Sequence, residues 1–598
     1  MSARRRLIRW VSWFSVANAG ILGLVGLRYL WYYSPLAPPI GWAYALLAYV
    51  GHVTSLAYIP LLTLLVPVIL LIPRARVVLP LGVALAAAGL SFLLLDTLVF
   101  AQNRYHLNVL TFTLLESETW AFVALYFLVG VAIEAMLAGF VWSRTARPPV
   151  GRFGRYLALA LGLCMLSSHL IHAWAFANYY VPVTAFTRFL PLYYPLASSA
   201  LLVRAGLADP NRAREQNRVA SLGRPQAGEL HYPLASLRCA PPLPMPNVLL
   251  IVIDAMRADA LTADFAPHLT ALARDAVRFD AHYSGGNTSR PGMFSLFYSL
   301  PPTYWNAFAN RAQPPVLMDL FRQYGYQLGL FASSPLYRIV ELDKTALARV
   351  PNLRLETFSR LPGSSGRDQT LTGEWFDWLD QRDPSRPFFG FLYYNSVVAN
   401  EPPADYHPAI PLPGGTSTQE RLHAQYLTAA HFVDSLVGRV LADLERRQLL
   451  EHTVIIVTSD HGMEFDENGL GFAGHGTAFS AQQLHTPFVL RWPGRTPGSV
   501  TRRTSHYDVV PTLLSGLFGC TNPPADYASG QGLFSDAQWD WLVAASYRDY
   551  ALIEPGRVTI VYGGTYEIRD QDYRLARHPV VPRDSLQAGL REMSRFYR

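Results

Sequence analysis

Five long apolar stretches fill the first 180 residues, at about 11–33, 41–72, 77–101, 119–142 and 156–177. Each offers the roughly 20 apolar residues that a helix needs to cross a bilayer core. In hydrocarbon every backbone amide and carbonyl needs an internal partner, which restricts such segments to helices. The sequence therefore predicts an α-helical membrane bundle of five spans over residues 1–180. The second stretch is over-long and contains Pro60 and Pro67, which predicts a kink or a tilt. Arginines set the orientation. Arg4, Arg5, Arg6 and Arg9 precede the first span, Arg74 and Arg76 separate the second and third, and Arg144, Arg147, Arg152 and Arg155 separate the fourth and fifth. The opposite ends carry only Arg28 and Arg104. The positive-inside rule then places the N-terminus in the cytoplasm and everything beyond about residue 180 outside it. RRRLIRWVSWFSVANAG runs into a full-length span without a small-residue cleavage site, so no cleavable signal peptide is expected.

At 598 residues, 51% hydrophobic and 16% charged, the chain is too long for one ordinary domain and needs regions of different character. The net charge of +7 comes from arginines beside apolar runs. That pattern suits membrane flanks, and no nucleic-acid-binding motif is present. Asp96, Glu134, His169 and His172 fall within or at the ends of spans, where ionisable groups are costly. They are expected to pair inside the bundle or to sit near its interfaces. Of the three cysteines, Cys164 lies in an apolar segment, and Cys239 and Cys520 permit one bridge in an oxidising compartment but no disulfide framework.

Residues 178–207, rich in Tyr, Phe, Pro and Leu with Arg188 and Arg204, suit a segment lying in the outer interface. Residues 208–246 read as a linker ending in CAPPLPMP, so 181–246 forms an interfacial segment and linker. From 247 to 598 the character changes again. Apolar runs at 248–254, 327–333, 388–394 and 453–460 alternate with helical patterns near 265–276, 369–382 and 419–447. Continuous apolar strands between amphipathic helices predict an α/β domain with a mainly parallel sheet covered on both faces. Working groups in such sheets gather at the carboxyl ends of strands. Asp254 and Asp460 each stand at such an end. The tail from about 546 contains VTIVYGGTYEIRD, a small antiparallel appendage.

Four residues share one chemistry: Asp254 in IVIDAMRAD, Thr288 in GGNTSRPGMFSLF, and Asp460 with His461 in TSDHG. Carboxylates and an imidazole make a first shell for one divalent metal ion, zinc, manganese or magnesium, which a hydroxyl can complete. Thr288 precedes a helical pattern, where amides and the dipole favour negative charge, and a nearby cation would activate its hydroxyl as a nucleophile. The plainer reading makes Thr288 a helix cap and Asp460–His461 a hydrogen-bonded pair. Ser289 is the rival nucleophile, Arg290 is an anion contact or a solvated loop charge, and His485 reads as structural.

These residues resemble the alkaline phosphatase and sulfatase superfamily. The D-x-x-R-x-D of Asp254, Arg257 and Asp259 resembles the opening sulfatase motif, with Ala255 where a second Asp is usual, which implies one metal. SDHG, then Glu467 to Leu470, then GHG at 474–476 resembles the lipid phosphoethanolamine transferases, and GNTS resembles the nucleophile loop of lipoteichoic acid synthases. The resemblance implies Thr288 as nucleophile, Asp254, Thr288, Asp460 and His461 as metal ligands, and His475 as a contact for the substrate's anionic group. Over the whole chain, the five spans, SSHLIHAWAFANYY and GNTSRPGMFSLFYSLPPTYW are similar to Gram-negative inner-membrane proteins with an N-terminal DUF3413 region and a periplasmic sulfatase-like domain. That resemblance implies binding of cardiolipin and lipopolysaccharide, control of lipopolysaccharide synthesis and an inner-membrane regulatory partner.

Two departures bear on chemistry. Ser289-Arg290-Pro291 begins the formylglycine pattern, but Met293 replaces its closing Arg, so sulfatase chemistry is not expected. Where lipid phosphotransferases carry His-Gly-Pro, this chain reads Ala399-Asn400-Glu401-Pro402, so Asn400 offers substrate a hydrogen bond but no imidazolium. His407 is a possible substitute. Two functions follow: a regulator that binds anionic lipid, with residual phosphatase activity at most, or a metal-dependent phosphotransferase or hydrolase acting on lipid headgroups through Thr288.

Overall fold

The computed structural model describes residues 2–31, 39–103, 106–107, 117–146, 153–178, 180–184, 186–197, 199–208, 230–412, 414, 417–547, 549–561, 566–576 and 580–597. They fall into two compact units, Met1–His231 with Tyr597–Arg598, and Tyr232–Phe596. Arg104, Arg147, Arg152, linker residues 209–229 and the YGGT of the tail lie outside the described residues.

The first unit contains helices Ala3–Trp31, Pro39–Leu71, Ala75–Asn103, Ser117–Arg144 and Phe153–Ala177. Five described helices are long and apolar enough to cross a membrane, as the apolar stretches predict. The helices outrun the stretches because helical hydrogen bonding continues into the arginine-bearing flanks. The second helix continues through Pro60 and Pro67. Inside the bundle, Asp96 receives the Tyr29 hydroxyl at 2.5 Å and the Leu107 amide at 2.5 Å, with His106 Nδ1 2.7 Å away. Asn18 Nδ2 donates to Glu134 at 3.0 Å. His169 and His172 hold the aromatic segment that follows the last span: the Leu196 amide donates to His169 Nδ1 at 3.3 Å, and His172 Nδ1 lies 2.8 Å from the Leu196 carbonyl. His52 Nε2 reaches the Pro191 carbonyl at 2.6 Å.

The second unit is built on a seven-stranded sheet of order β3-β4-β1-β5-β8-β2-β9. Its strands are β1 (Asn247–Ile253), β2 (Val277–Tyr283), β3 (Gln327–Ala332), β4 (Phe388–Tyr394), β5 (Thr453–Thr458), β8 (Phe488–Arg491) and β9 (Gly498–Ser505). Short strands β6 (Glu464–Phe465) and β7 (Ala473–Gly474) form a hairpin after β5. Strands β3, β4, β1 and β5 are parallel neighbours, and the antiparallel β8 joins β5 to β2. NVLLIVI is buried along its whole length because both faces are covered. Leu249, Ile251 and Ile253 share a core with Trp375 of helix Gly363–Gln381 and with Val433, Leu436 and Val437 of helix Thr418–Arg446. A capping box of Ser417 and Glu420 fixes the start of that long helix.

The tail folds as a four-stranded antiparallel sheet, β10 (Leu542–Ala545), β11 (Tyr550–Glu554), β12 (Arg557–Val561) and β13 (Tyr566–Asp570), followed by helix Arg583–Ser594. Leu542, Ala544, Ile553 and Ile560 share a core with Ala478, Phe479 and Tyr507. The Ala545 amide donates to the Gly285 carbonyl at 2.9 Å, and the Asn287 amide to the Ala545 carbonyl at 3.2 Å. The tail thereby braces the glycine-rich loop that carries Thr288. A disulfide joins Cys239 to Cys520.

Candidate metal and anion site

In the register of the parallel strands, Val252 of β1 lies opposite Tyr393 of β4 and Thr458 of β5. Asp254, Tyr393 and the Asp460–His461 pair therefore emerge together at the carboxyl edge of the sheet. Asp254, Asp460 and His461 bring ligand atoms within 4.8 Å of one another, the one such group among the described residues. His461 Nε2 lies 3.3 Å from Asp254 Oδ1 and 3.7 Å from Asp460 Oδ2. His461 Nδ1 sits 2.8 Å from the Gly462 carbonyl. A proton on Nδ1 satisfies that carbonyl and turns the Nε2 lone pair inward, the tautomer a metal ligand needs.

The carboxylates are held by donors on every other side. Asp460 Oδ1 accepts the Ala255 amide at 3.2 Å and the His461 amide at 3.0 Å. The Tyr393 hydroxyl donates to Asp254 Oδ2 at 2.5 Å and lies 3.2 Å from Asp460 Oδ2. Burial, and then repulsion from Asp254, raise the Asp460 carboxyl above the usual range. Two buried carboxylates facing one another want a positive charge between them.

Thr288 stands at the N-cap of helix Ser289–Tyr298, yet its side chain makes no capping bond. Its Oγ1 is buried and has no partner. The capping bond is therefore not made in this structure. Gly476 explains how the loops can meet: its φ is 71°, and a Cβ there would come within 2.6 Å of Thr288 Cγ2. Gly292 permits a second approach, because a Cβ would meet the Asp460 carbonyl at 2.1 Å. Ser289 Oγ lies 3.1 Å from His461 Nε2 and 3.4 Å from Asp254 Oδ1, so it too faces the cluster.

His475 lies with its ring centroid 4.7 Å from that of His461, and its buried Nδ1 has no partner. Burial, and then the neighbouring His461, push its pKa down to about 4. The donor set fits one divalent cation: two buried carboxylates and an imidazole whose Nε2 faces them.

Comparison with known proteins agrees with this architecture. Residues 1–239 match the domain of unknown function DUF3413, and residues 246–519 match the sulfatase family. The chain is 29% identical over 584 residues to the inner membrane protein YejM of Salmonella typhimurium, covering 94% of this chain and 93% of that one. It is 25% identical over 577 residues to an uncharacterised protein of Haemophilus influenzae, with 95% and 92% covered. The chain joins a DUF3413 domain to a sulfatase-family domain. Among solved structures, the lipoteichoic acid synthase LtaP of Listeria monocytogenes aligns with a TM-score of 0.46 at 15% identity, over 59% of this chain and 91% of that one.

Within the sulfatase-like domain, other motif residues make their side-chain bonds outside the cluster. Arg257 pairs with Asp259 and Glu467, and its Nη1 donates to the Met463 carbonyl at 3.3 Å. It ties the Asp254 loop to the loop after β5. Ala255 takes a φ of 62° where the sulfatase motif has its second Asp. Asn400 sits after the turn Ser396–Ala399 with its Oδ1 buried and unpartnered, and bonds to none of the cluster. His407 is exposed. His485 Nε2 reaches the Asp280 carbonyl at 2.8 Å, in keeping with a structural role. Arg290 pairs with Glu341 and stacks on Trp305 and Tyr547. Sequence reasoning missed Tyr393. FFGFLYY ends in two tyrosines beside the Asp254 strand, and that register was the available signal for Tyr393.

Proposed function

We propose that this chain serves envelope lipid homeostasis and recognises phosphate-bearing anionic lipid headgroups at the one-metal site of its sulfatase-like domain. One observation carries the reading: Asp254, Asp460 and His461 converge in one buried place that Ser289 Oγ faces, and the adjoining Thr288 Oγ1 is buried without a partner. The arginine bias of the span flanks supports a cytoplasmic N-terminus and a periplasmic domain. The Cys239–Cys520 disulfide suits that oxidising compartment. Lipopolysaccharide and cardiolipin are the lipids implied by the DUF3413 resemblance, and an inner-membrane partner would receive the signal.

Asp254, Asp460 and His461, completed by Thr288, would hold zinc, manganese or magnesium. Such a cation lowers the cost of negative charge on a hydroxyl and on phosphoryl oxygens. Tyr393 fixes the carboxylate orientation through its hydrogen bonds. Thr288 Oγ1 attacks phosphorus, its O–P bond forming as the alcohol of the headgroup leaves. Water or a second alcohol then takes the phosphoryl group from Thr288. His475 donates to a phosphoryl oxygen.

A regulatory reading without turnover draws on Asn400, which gives no imidazolium, and on Ser289, whose hydroxyl already bonds the ligands. Two variant classes separate the readings. Thr288→Ala should abolish release of phosphate from lipid headgroups in reconstituted vesicles and remove any phosphothreonine detected by mass spectrometry. If Thr288→Ala is silent in an envelope-integrity assay while Arg188→Ala and Arg204→Ala are not, binding rather than turnover is the function.

A further inference from the structure

Lysine occurs once in the 598 residues, at Lys344, and every other lysine-or-arginine position holds arginine. The sole lysine is buried, 4% exposed, at the end of the turn Leu342–Lys344. Its Nζ donates to Glu341 Oε1 at 2.5 Å, and Glu341 is 1% exposed. The other carboxylate oxygen of Glu341 pairs with Arg290. Arg290 directly follows Ser289, whose hydroxyl faces the ligand cluster. Its guanidinium lies between the rings of Trp305 and Tyr547, 4.4 and 4.9 Å from their centroids.

A buried ion pair is weak evidence for stability, since an apolar replacement is often neutral. Two cations sharing one buried carboxylate, next to a site with an orphan hydroxyl, need another reason. Glu341 itself adopts a left-handed backbone, with φ of 45°. Its carboxylate reaches Lys344 across three residues of a tight turn, where the partner is a compact ammonium rather than the planar guanidinium used elsewhere. Among the described residues, arginine or histidine serves the other ion pairs, and this position departs from that habit.

We propose that Glu341 and Lys344 are positioning residues that hold Arg290 as the oxyanion contact of the Thr288 site. The inference rests on the phosphate-headgroup reading above and deepens it. Stacked between two rings and tied to a carboxylate, the guanidinium is ordered before the anion arrives, so little rotamer entropy is lost on binding. Its planar fork suits two oxygens of a phosphoryl group, where a lysine would act as a point charge.

The test uses the full chain in nanodiscs with manganese bound, and inorganic phosphate as the probe. Selective ¹⁵N-lysine labelling gives a single amide resonance, that of Lys344. Phosphate should move this resonance and bind measurably by calorimetry. Arg290→Gln should weaken phosphate binding about 10-fold or more, as loss of a charge-assisted contact predicts. Glu341→Gln and Lys344→Arg should weaken it about 3- to 10-fold, with manganese affinity unchanged. A merely structural lysine would be rescued by Lys344→Arg, and a positioning one would not. If phosphate binds the parent chain and all three variants alike, the inference fails and the headgroup reading stands. If the parent binds no phosphate, both fail. Should the variants not fold, a parent Lys344 resonance that ignores bound phosphate is enough to reject the relay.

Discussion

Each unit holds a buried acidic cluster, and the two are closed differently. In the membrane bundle, Asp96 is saturated: Tyr29, His106 and the Leu107 amide surround both of its oxygens. In the sulfatase-like domain, Asp254 and Asp460 face each other, with His461 turned toward them and a threonine hydroxyl left unbonded. A low-dielectric interior makes a satisfied network stabilising and an unsatisfied one costly. A fold that keeps the costly arrangement keeps it for a guest. Both clusters are acidic, buried and close to histidine, so residue type alone does not separate structure from function. The convergence of three ligand atoms does.

The largest expected effect falls on the cation. Asp460→Asn or Asp254→Asn removes a ligand charge, and since even supporting residues cost 10- to 100-fold, manganese or zinc affinity should fall by more than about 100-fold. Calorimetry on the full chain measures this, and retained affinity would end the metal reading. The apo protein should melt no lower than the parent, because the variant relieves repulsion between two buried carboxylates.

Next in size is Tyr393→Phe. Its hydroxyl bonds both carboxylates but is no ligand, so affinity should drop roughly 10- to 100-fold. A change below 2-fold would show that Tyr393 is packing alone. On the bundle side, Tyr29→Phe strips one donor from Asp96 and should cost about 1–3 kcal/mol of stability in lipid without touching metal affinity. A shift in metal affinity from Tyr29→Phe would break the separation of the two clusters.

The five spans were legible because bilayer thickness imposes a length that composition alone reveals. The parallel strands were legible because burial on both faces forces continuous apolar runs such as VLLIVI. Asp254, Asp460 and His461 were found because strand ends collect functional groups, and the structure brings all three together. Tyr393 was hidden inside one of those apolar runs, where its ring is indistinguishable from core. Glu341 and Lys344 were hidden because their partnership with Arg290 joins loops about fifty residues apart, and no local period records such a meeting. The bracing of the Thr288 loop by β10 escaped for the same reason, being a backbone contact between segments some 260 residues distant in sequence.

The smallest effect is also the sharpest test of the contrast between the clusters. Thr288→Val keeps the shape of the side chain and deletes a buried hydroxyl that has no partner. Removing an unsatisfied buried polar group is favourable by about 1 kcal/mol, so the metal-free protein should melt slightly higher than the parent. A helix cap behaves in the opposite sense, losing about 1 kcal/mol when its oxygen is removed. Because Thr288 occupies an N-cap position without making the capping bond, the sign of this change decides the matter. Differential scanning calorimetry with chelator present reads it directly: a higher transition means the hydroxyl waits for a cation or a phosphoryl group, and a lower one means it was holding the helix all along.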